Sequence, residues 1–142
     1  MNLDSLYQEV IMDHYKNPLH KKLSPEPTVQ VHHVNTSCGD EVTLNLHMDG
    51  NLVWEGSGCS ISQASTSVMS DLLRGKDEDE ALKIVADFLE MMQSKGTKSG
   101  DENILGDGVA LAGVSKFPAR VKCALLGWMA FKDAVTRSRS GE

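Results

Sequence analysis

The chain has 142 residues, of which 40% are hydrophobic and 24% are charged, and its formal net charge is -6 at pH 7. A chain of this length suits one globular domain and buries roughly two-thirds of its unfolded surface. The negative charge argues against binding to nucleic acid, because affinity for a phosphate backbone depends on clustered Lys and Arg. No apolar run approaches the ~18 residues of a membrane span, and the N-terminus lacks the features of a signal peptide. We therefore expect a cytoplasmic protein with a single domain over residues 1–142.

The N-terminal region is predicted to form one helix and then a loop. Apolar residues recur at helical spacing from Leu3 to Tyr15, and Asn2 is suited to cap the helix N-terminus. Pro18 has no backbone N–H to donate, so the helix has to end near Asn17. Two further prolines favour extended backbone in residues 19–27, which are expected to form a loop.

Three short strands are predicted next. Residues 28–34 carry apolar side chains mainly on one face, and residues 42–48 alternate strictly between apolar and polar side chains. That alternation is typical of a strand with one buried face, and it places Met48 on the buried face. The turn sequence Asp49-Gly50-Asn51 predicts a hairpin that pairs residues 52–55 with the preceding strand. Three antiparallel strands are too few to bury their apolar face alone, so helices must cover it.

The second half of the chain is predicted to supply those helices. One helix is expected between Cys59 and Gly75, and Ser60 with Gln63 forms a capping box at its start. Another is expected from Asp77 to Gly96, because acidic residues in a first turn interact favourably with the helix dipole.

Two more helices complete the predicted fold, after a polar loop over residues 95–102. Residues 105–114 are expected to form a short helix that its glycines weaken. The last helix begins near Pro118, which a first turn tolerates, and ends in a frayed basic tail at residues 137–139. The predicted fold class is therefore α+β, with a small three-stranded antiparallel sheet covered by about five helices.

The chemistry of the chain is predicted from its cysteines. There are three of them, and an odd number cannot close completely into intramolecular disulfides. In the cytoplasm, glutathione keeps thiols reduced in any case. Metal binding or sulfur chemistry is therefore favoured over a disulfide framework.

Each cysteine has a local context that suits a metal ligand. Gly39 allows a turn in which Cys38 and Asp40 direct a thiolate and a carboxylate toward one point. Cys59 precedes a predicted helix N-terminus, where free amides and the helix dipole stabilise a thiolate. Cys123 is presented from within the last helix. We predict that these three cysteines and Asp40 meet around one ion, and this donor set suits zinc and also iron.

Simpler explanations exist for each of these residues. A lone Cys59 or Cys123 is often a small buried hydrophobic residue, and Asp40 after a glycine often only caps a turn. No Cys-x-x-Cys pair is present, so the chain is not a zinc ribbon or zinc finger. The five histidines are scattered, and strand faces and helix ends explain them better than metal ligation does.

Several motifs resemble the U-type iron–sulfur assembly proteins, the SufU and IscU family. They are Ser37-Cys-Gly-Asp40, Gly56-Ser-Gly-Cys-Ser-Ile-Ser62, Phe117-Pro-Ala-Arg-Val-Lys-Cys-Ala124 and the N-terminal Asp13-His14-Tyr15-Lys-Asn-Pro18. Together they span nearly the whole chain in the order that the family has them. The resemblance implies that Cys38, Cys59 and Cys123 are the family's three functional cysteines and that Asp40 is their acidic partner.

Two departures from the scaffold-type members resemble the SufU branch of this family. Scaffold-type members carry histidine directly before the third cysteine, where this chain has Lys122. They also have a shorter connection between the second and third cysteines, whereas this chain adds an acidic helix and loop over residues 77–102. A third departure is Thr36, where the family usually has proline, and it leaves the rigidity of the Cys38 loop open.

The resemblance implies a zinc-dependent sulfurtransferase of iron–sulfur cluster biogenesis. Its partners would be a SufS-like cysteine desulfurase that uses pyridoxal phosphate, and a downstream cluster scaffold or apo-acceptor. Cys38 is the predicted sulfur acceptor, because it lies in a flexible loop whereas Cys123 is fixed in a helix. Arg120 and Lys122 are predicted to steer the partner or the anionic persulfide, although ordinary helix-surface charge explains them equally well.

Two other functions use the same residues. In one, the cysteines ligate iron and the protein is a scaffold on which a [2Fe–2S] cluster is built and transferred. In the other, the metal is purely structural, and stripping it unfolds the protein without any sulfur being acquired. Anaerobic reconstitution separates the first from a sulfurtransferase, because a stable coloured cluster passed to an apo-acceptor favours the scaffold.

Overall fold

A three-stranded antiparallel sheet with helices packed against it forms the fold, in a computed structural model that describes residues 3–141. The predicted α+β class is confirmed, and the predicted cap Asn2 lies outside the described residues. In chain order the elements are α1 (Leu3–Lys16), β1 (Val29–Asn35), β2 (Asp40–Leu46), β3 (Leu52–Ser57), α2 (Ser60–Leu73), α3 (Glu78–Met92), α4 (Glu102–Leu105), a 3-10 segment (Gly106–Lys116) and α5 (Pro118–Ser140).

The register of the sheet fixes where its connecting loops lie. The strand order is β1-β2-β3, and Asn35 pairs with Asp40 across the β1–β2 hairpin. Residues 36–39 therefore form the loop of that hairpin, with Cys38 in it. At the same end of the sheet, Glu41 of β2 pairs with Ser57 at the end of β3, so the chain leaves β3 beside the hairpin loop.

The prediction for Met48 is wrong. Strand β2 ends at Leu46, and Met48 lies in the following turn, where the residue is 90% exposed. In that turn the Gly50 N–H donates to the carbonyl of His47, so the backbone has left the pleated geometry before Met48. The alternation of apolar and polar residues continues two positions beyond the end of the strand, through His47 to Met48.

The capping box predicted at the start of α2 is also absent. The N-cap residue is Cys59, whose side chain makes no capping hydrogen bond. Ser60 is already the first helical residue, and the Gln63 amide donates to the Ser62 hydroxyl over 3.3 Å. The helix begins one residue earlier than the box requires, because the carbonyl of Cys59 accepts the first helical hydrogen bond, from the Gln63 N–H.

Residues 102–116 contain two helical pieces instead of the single helix predicted over 105–114. Gly106 has a φ of +52°, and this left-handed conformation ends α4 at Leu105. The chain then continues as the 3-10 segment up to Lys116. The glycines were correctly identified as helix-weakening, but their effect is to change the helix type and divide the segment.

The basic C-terminal tail is helical, so the prediction that it frays is wrong. Helix α5 extends to Ser140, where Gly141 adopts a left-handed cap conformation with a φ of +80°. The Arg139 guanidinium donates to Glu78 over 3.2 Å and to Asp79 over 2.7 Å. These exposed ion pairs join the end of α5 to the acidic first turn of α3, although each contributes little to stability.

Helix α5 lies across β1 and β2 and contacts α2, so it forms the centre of the core. Trp128 of α5 is fully buried and stacks on Phe88 of α3 with ring centroids 3.9 Å apart. Its indole N–H donates to the Ser65 hydroxyl of α2 over 2.9 Å, which satisfies the one polar atom of the ring. No helix within residues 3–141 combines the length and the apolar character that a membrane span needs.

Small residues let α2 and α5 approach closely. A Cβ placed at Gly127 of α5 would lie 2.5 Å from the Thr66 hydroxyl oxygen of α2, and the Ser65 hydroxyl donates to the carbonyl of Ala124 over 2.6 Å. This contact fixes the distance between the start of α2, where Cys59 lies, and the N-terminal turns of α5, which carry Cys123.

Helix α1 is fastened to the rest of the fold by a buried histidine. The Nδ1 atom of His14 lies 2.8 Å from the Ser67 hydroxyl of α2, and its Nε2 atom lies 2.8 Å from Asp107 of the 3-10 segment. The Ser67 hydroxyl also accepts the N–H of Leu19 over 2.8 Å. A histidine at the end of a helix therefore has a packing role here, as predicted.

We predict that Gly127→Ala destabilises the protein by about 1–3 kcal/mol, because the added methyl group overpacks the contact with Thr66. Urea unfolding of both proteins measures the loss. The double variant Gly127→Ala with Thr66→Ala removes the obstructing side chain, and it should recover part of the stability. A loss in Gly127→Ala that the second substitution leaves unchanged would mean that the close contact is not its cause.

Candidate metal centre

The β1–β2 hairpin presents Cys38 and Asp40 from one tight loop. The N–H of Cys38 donates to the carbonyl of Asn35 over 3.3 Å, and Gly39 adopts a φ of +71°, which a residue with a Cβ reaches only with strain. Asp40 is the first residue of β2 and is fully buried, whereas Cys38 is half-buried. The loop therefore directs one buried carboxylate and one accessible thiol to the same end of the sheet.

Cys59 reaches that end from the β3–α2 connection. Its backbone N–H donates to Asp40 Oδ1 over 2.8 Å, and its Sγ atom lies 3.8 Å from Asp40 Oδ2. Gly58 permits this approach, because its φ is +142° and a Cβ there would lie 2.2 Å from Asp40 Oδ1. The space beside this glycine is occupied by the Asp40 carboxylate.

Cys123 completes the group from the second turn of α5. It is fully buried, and its Sγ atom lies 2.6 Å from Cys38 Sγ, both cysteines being free thiols. One donor atom each from Cys38, Asp40 and Cys123 lies within 4.8 Å of the other two. Cys59 adjoins this trio through Asp40. The structure thus groups the donor atoms of three of the four predicted residues and places Cys59 beside Asp40, outside that trio. The role of all four as ligands remains a prediction.

The electrostatics of the centre favour a bound cation. Burial raises the pKa of the Cys123 thiol far above its usual value, and hydrogen bonding to Cys38 and Asp40 and the charge of Cys59 act in the same direction. Without a cation, Cys123 therefore stays protonated at neutral pH. A divalent metal reverses this preference, because it stabilises coordinated thiolates and releases their protons. Three sulfurs and one carboxylate are a donor set that suits tetrahedral zinc.

A groove of about 640 Å³ lies next to Cys59. Its walls come from α1, the start of α2, the 3-10 segment and the start of α5. Among the lining residues are Phe117, which is 60% exposed, and two cationic residues, Lys116 and Arg120. Lys122 is exposed and is not part of the lining. The structure therefore separates the two residues that were predicted to share a steering role.

Two features of the centre were not predicted from the sequence. Asn35 extends its side-chain amide toward Cys123 Sγ, 3.9 Å away, and the carbonyl of Ala119 lies 3.9 Å from Cys38 Sγ and 3.7 Å from Cys123 Sγ. The Asn35–Cys123 and Ala119–Cys38 contacts join residues more than 80 positions apart. The Ala119–Cys123 contact depends on the orientation of the backbone inside α5. Only the motif position of Asn35, three residues before Cys38, could have drawn attention to it.

Comparison with known proteins places this fold and centre in a family. Residues 6–124 match the NifU-like N-terminal domain, and the chain belongs to that family. It is 47% identical over 144 residues to the zinc-dependent sulfurtransferase SufU of Bacillus subtilis, an alignment that covers 99% of this chain and 96% of that protein. These relationships confirm the predicted family and place the chain in iron–sulfur cluster biogenesis.

Two further comparisons agree with this assignment. The chain is 39% identical over 145 residues to the iron–sulfur cluster assembly scaffold protein IscU of Streptococcus pyogenes, covering 99% of this chain and 89% of that one. The crystal structure of the N-terminal part of a nitrogen-fixing NifU-like protein from Brucella abortus superimposes with a TM-score of 0.86 at 25% identity. That superposition covers 97% of each chain.

We predict that Gly58→Ala weakens zinc binding by roughly tenfold or more, because the new methyl group has to displace the Asp40 carboxylate. Competition with a chromophoric chelator measures the dissociation constant. Gly113→Ala is the matched control, since a Cβ at Gly113 meets no atom within 4 Å. Equal zinc affinity in Gly58→Ala and the control would show that the carboxylate does not contribute to binding.

Proposed function

We propose that this chain is a zinc-dependent sulfur acceptor that takes persulfide sulfur from a SufS-like cysteine desulfurase and passes it on for cluster assembly. The observation that carries the proposal is the convergence of three thiols and one buried carboxylate at an accessible end of the sheet. Identity of 47% to a protein named as a zinc-dependent sulfurtransferase supports the choice of metal and reaction. Cys38, Asp40, Cys59 and Cys123 are the proposed zinc ligands.

The proposed acceptor is Cys38. Its side chain is half-buried on a hairpin loop, whereas Cys123 is fully buried inside a helix. Cys59 is less free to move than Cys38, because its own N–H is bound to Asp40 and it is the N-cap residue of α2. Zinc, when bound, keeps the thiols of the centre deprotonated at neutral pH.

The transfer step is a thiol–persulfide exchange. The Cys38 thiolate attacks the outer sulfur of the desulfurase persulfide and forms a new S–S bond, while the old S–S bond breaks. The electron pair of that bond leaves on the desulfurase cysteine as a thiolate, so no external oxidant or reductant is needed. The product is a persulfide on Cys38, which a downstream scaffold or apo-acceptor then consumes.

We predict that brief incubation with a desulfurase and cysteine places the added sulfur on Cys38. Because no Lys or Arg occurs between residues 23 and 73, tryptic digestion leaves Cys38 and Cys59 in one peptide. Cleavage after Glu41 and Glu55 separates them, and mass spectrometry of the alkylated peptides then locates the sulfur. Desulfurase without cysteine is the control. Sulfur found on Cys59 or Cys123 and absent from Cys38 would exclude Cys38 as the acceptor.

Arg120 is the proposed steering residue, because it lines the groove beside Cys59 together with Lys116. The two cations line the groove beside Cys59, although the chain as a whole has a net charge of -6. They therefore provide a local attraction for an anionic persulfide or an acidic partner surface. Lys122 lies outside the groove lining, and its proposed contribution is limited to the general charge near Cys123.

We predict that Arg120→Ala raises the half-saturating concentration of this protein for the desulfurase by roughly threefold or more, with zinc content unchanged. The effect should shrink as salt is added, because exposed charges are screened. Lys132→Ala is the matched control, since it removes an exposed cation from the same helix outside the groove. The steering role is refuted if both variants behave alike at low salt.

A further inference from the structure

Asn35 connects two cysteines that are distant in sequence. It is the last residue of β1, and its carbonyl accepts the N–H of Cys38 over 3.3 Å. Its side-chain Oδ1 accepts the N–H of Ser37 over 3.3 Å, while its Nδ2 lies 3.9 Å from Cys123 Sγ, within reach of a sulfur acceptor. One half-buried residue therefore holds the backbone of the Cys38 loop and also faces the sulfur of Cys123 in α5.

The two sulfurs have different hydrogen-bonding surroundings. Cys123 Sγ contacts Cys38 Sγ and the carbonyl of Ala119, and it also faces the Asn35 amide donor. The hydrogen-bonding contacts of Cys38 Sγ among the described residues are Cys123 Sγ and the carbonyl of Ala119, and neither is an N–H group. An N–H donor stabilises charge on a sulfur and makes its lone pairs less available, because hydrogen bonds to charged groups are the stronger ones. A carbonyl oxygen offers a thiolate no such stabilisation.

We propose that Asn35 is a positioning residue that determines which sulfur of the centre reacts with an electrophile. Its side-chain amide restrains Cys123 as the unreactive sulfur, while its two acceptors shape the loop that leaves Cys38 available. The assignment rests on the proposed function in one respect, namely that the reacting electrophile in the cell is the outer sulfur of a persulfide.

The test compares the alkylation of individual cysteines in Asn35 variants. Asn35→Ser keeps an oxygen that can accept the Ser37 N–H, but its side chain is too short to reach Cys123. Asn35→Asp keeps the acceptor at full length and replaces the donor with a carboxylate, whose negative charge also acts on the nearby sulfurs. Asn103→Ser is the matched control, because Asn103 is exposed and lies in α4, away from the three cysteines.

Each protein is treated with substoichiometric iodoacetamide, and peptides cleaved after Glu give the ratio of alkylation at Cys38 to alkylation at Cys123. We expect this ratio to fall by roughly fivefold in both Asn35 variants, the size of effect that corresponds to one net hydrogen bond. The control should keep the wild-type ratio. Measuring zinc-loaded and metal-free protein in parallel keeps the comparison valid if a variant binds zinc poorly.

A spectroscopic measurement separates this role from a merely structural one. In cobalt-substituted protein, loss of an N–H donor at a ligating sulfur moves the sulfur-to-metal charge-transfer band to lower energy. We expect that shift in Asn35→Asp, whose loop hydrogen bond is retained. A wild-type alkylation ratio in both variants, or a general rise in the reactivity of all three cysteines without the band shift, would overturn the assignment.

These outcomes are independent of sulfur transfer, because no desulfurase is present. A protein that shows the Asn35-dependent ratio but never gains sulfur would refute the proposed function alone. A protein that gains sulfur on Cys38 equally well with and without the Asn35 amide, at an unchanged alkylation ratio, would refute the Asn35 assignment alone.

Discussion

The hydrogen bond between the buried Asp40 carboxylate and the Cys59 N–H is the interaction on which the candidate metal centre depends. A carboxylate without exposure to water is destabilising unless hydrogen bonds or a cation compensate for its lost hydration. The structure supplies one backbone N–H, from Cys59, to its Oδ1 atom, and the Oδ2 atom faces the Cys59 sulfur. In the proposed function, a cation held among the sulfurs would add to this compensation, and metal binding would then be coupled to the stability of this end of the fold.

Three elements of different rigidity deliver the sulfurs to this carboxylate. Cys123 lies inside a helix whose neighbouring residues are locked by the Trp128 stack and by the close approach of Gly127 to Thr66. Cys59 begins a helix and is fixed through its backbone. Cys38 alone belongs to a four-residue hairpin loop, held by the Asn35 carbonyl. Cys38 is thus the one of the three cysteines that lies neither in a helix nor at a helix N-cap.

The sequence predicted the parts of this arrangement that depend on local pattern. Strict alternation located β2, helical spacing located α1, and the position of Cys59 before an apolar helical pattern correctly placed it at a helix N-terminus. Predictions from local pattern were wrong where a single residue determines the end of a helix or a strand. The positive φ of Gly106 divided a predicted helix, and the apolar Met48 extended an alternation into a turn.

Contacts between distant segments could not be obtained from pattern at all. The Asn35 amide meets Cys123 across 88 positions, and the groove beside Cys59 combines side chains from four elements. The ion pairs of Arg139 likewise connect the C-terminal end of α5 to α3, whereas the sequence predicted that this end frays. The convergence of the four candidate ligands was predicted from the local context of each residue, and the family resemblance added support that spacing did not contain.

The geometry of the hairpin also explains how a thiol can leave the centre without loss of the sheet. Asn35 and Asp40 are paired in the β1–β2 ladder, so movement of Cys38 needs to change the backbone only at residues 36–39. Gly39 already has the conformational freedom for such a change, and Thr36 has a free φ where proline would have a fixed one. Asp40, by contrast, begins the ladder and is tied to Cys59. A displacement of Cys38 would therefore leave the carboxylate and two sulfurs in position, as the proposed sulfur acceptor requires.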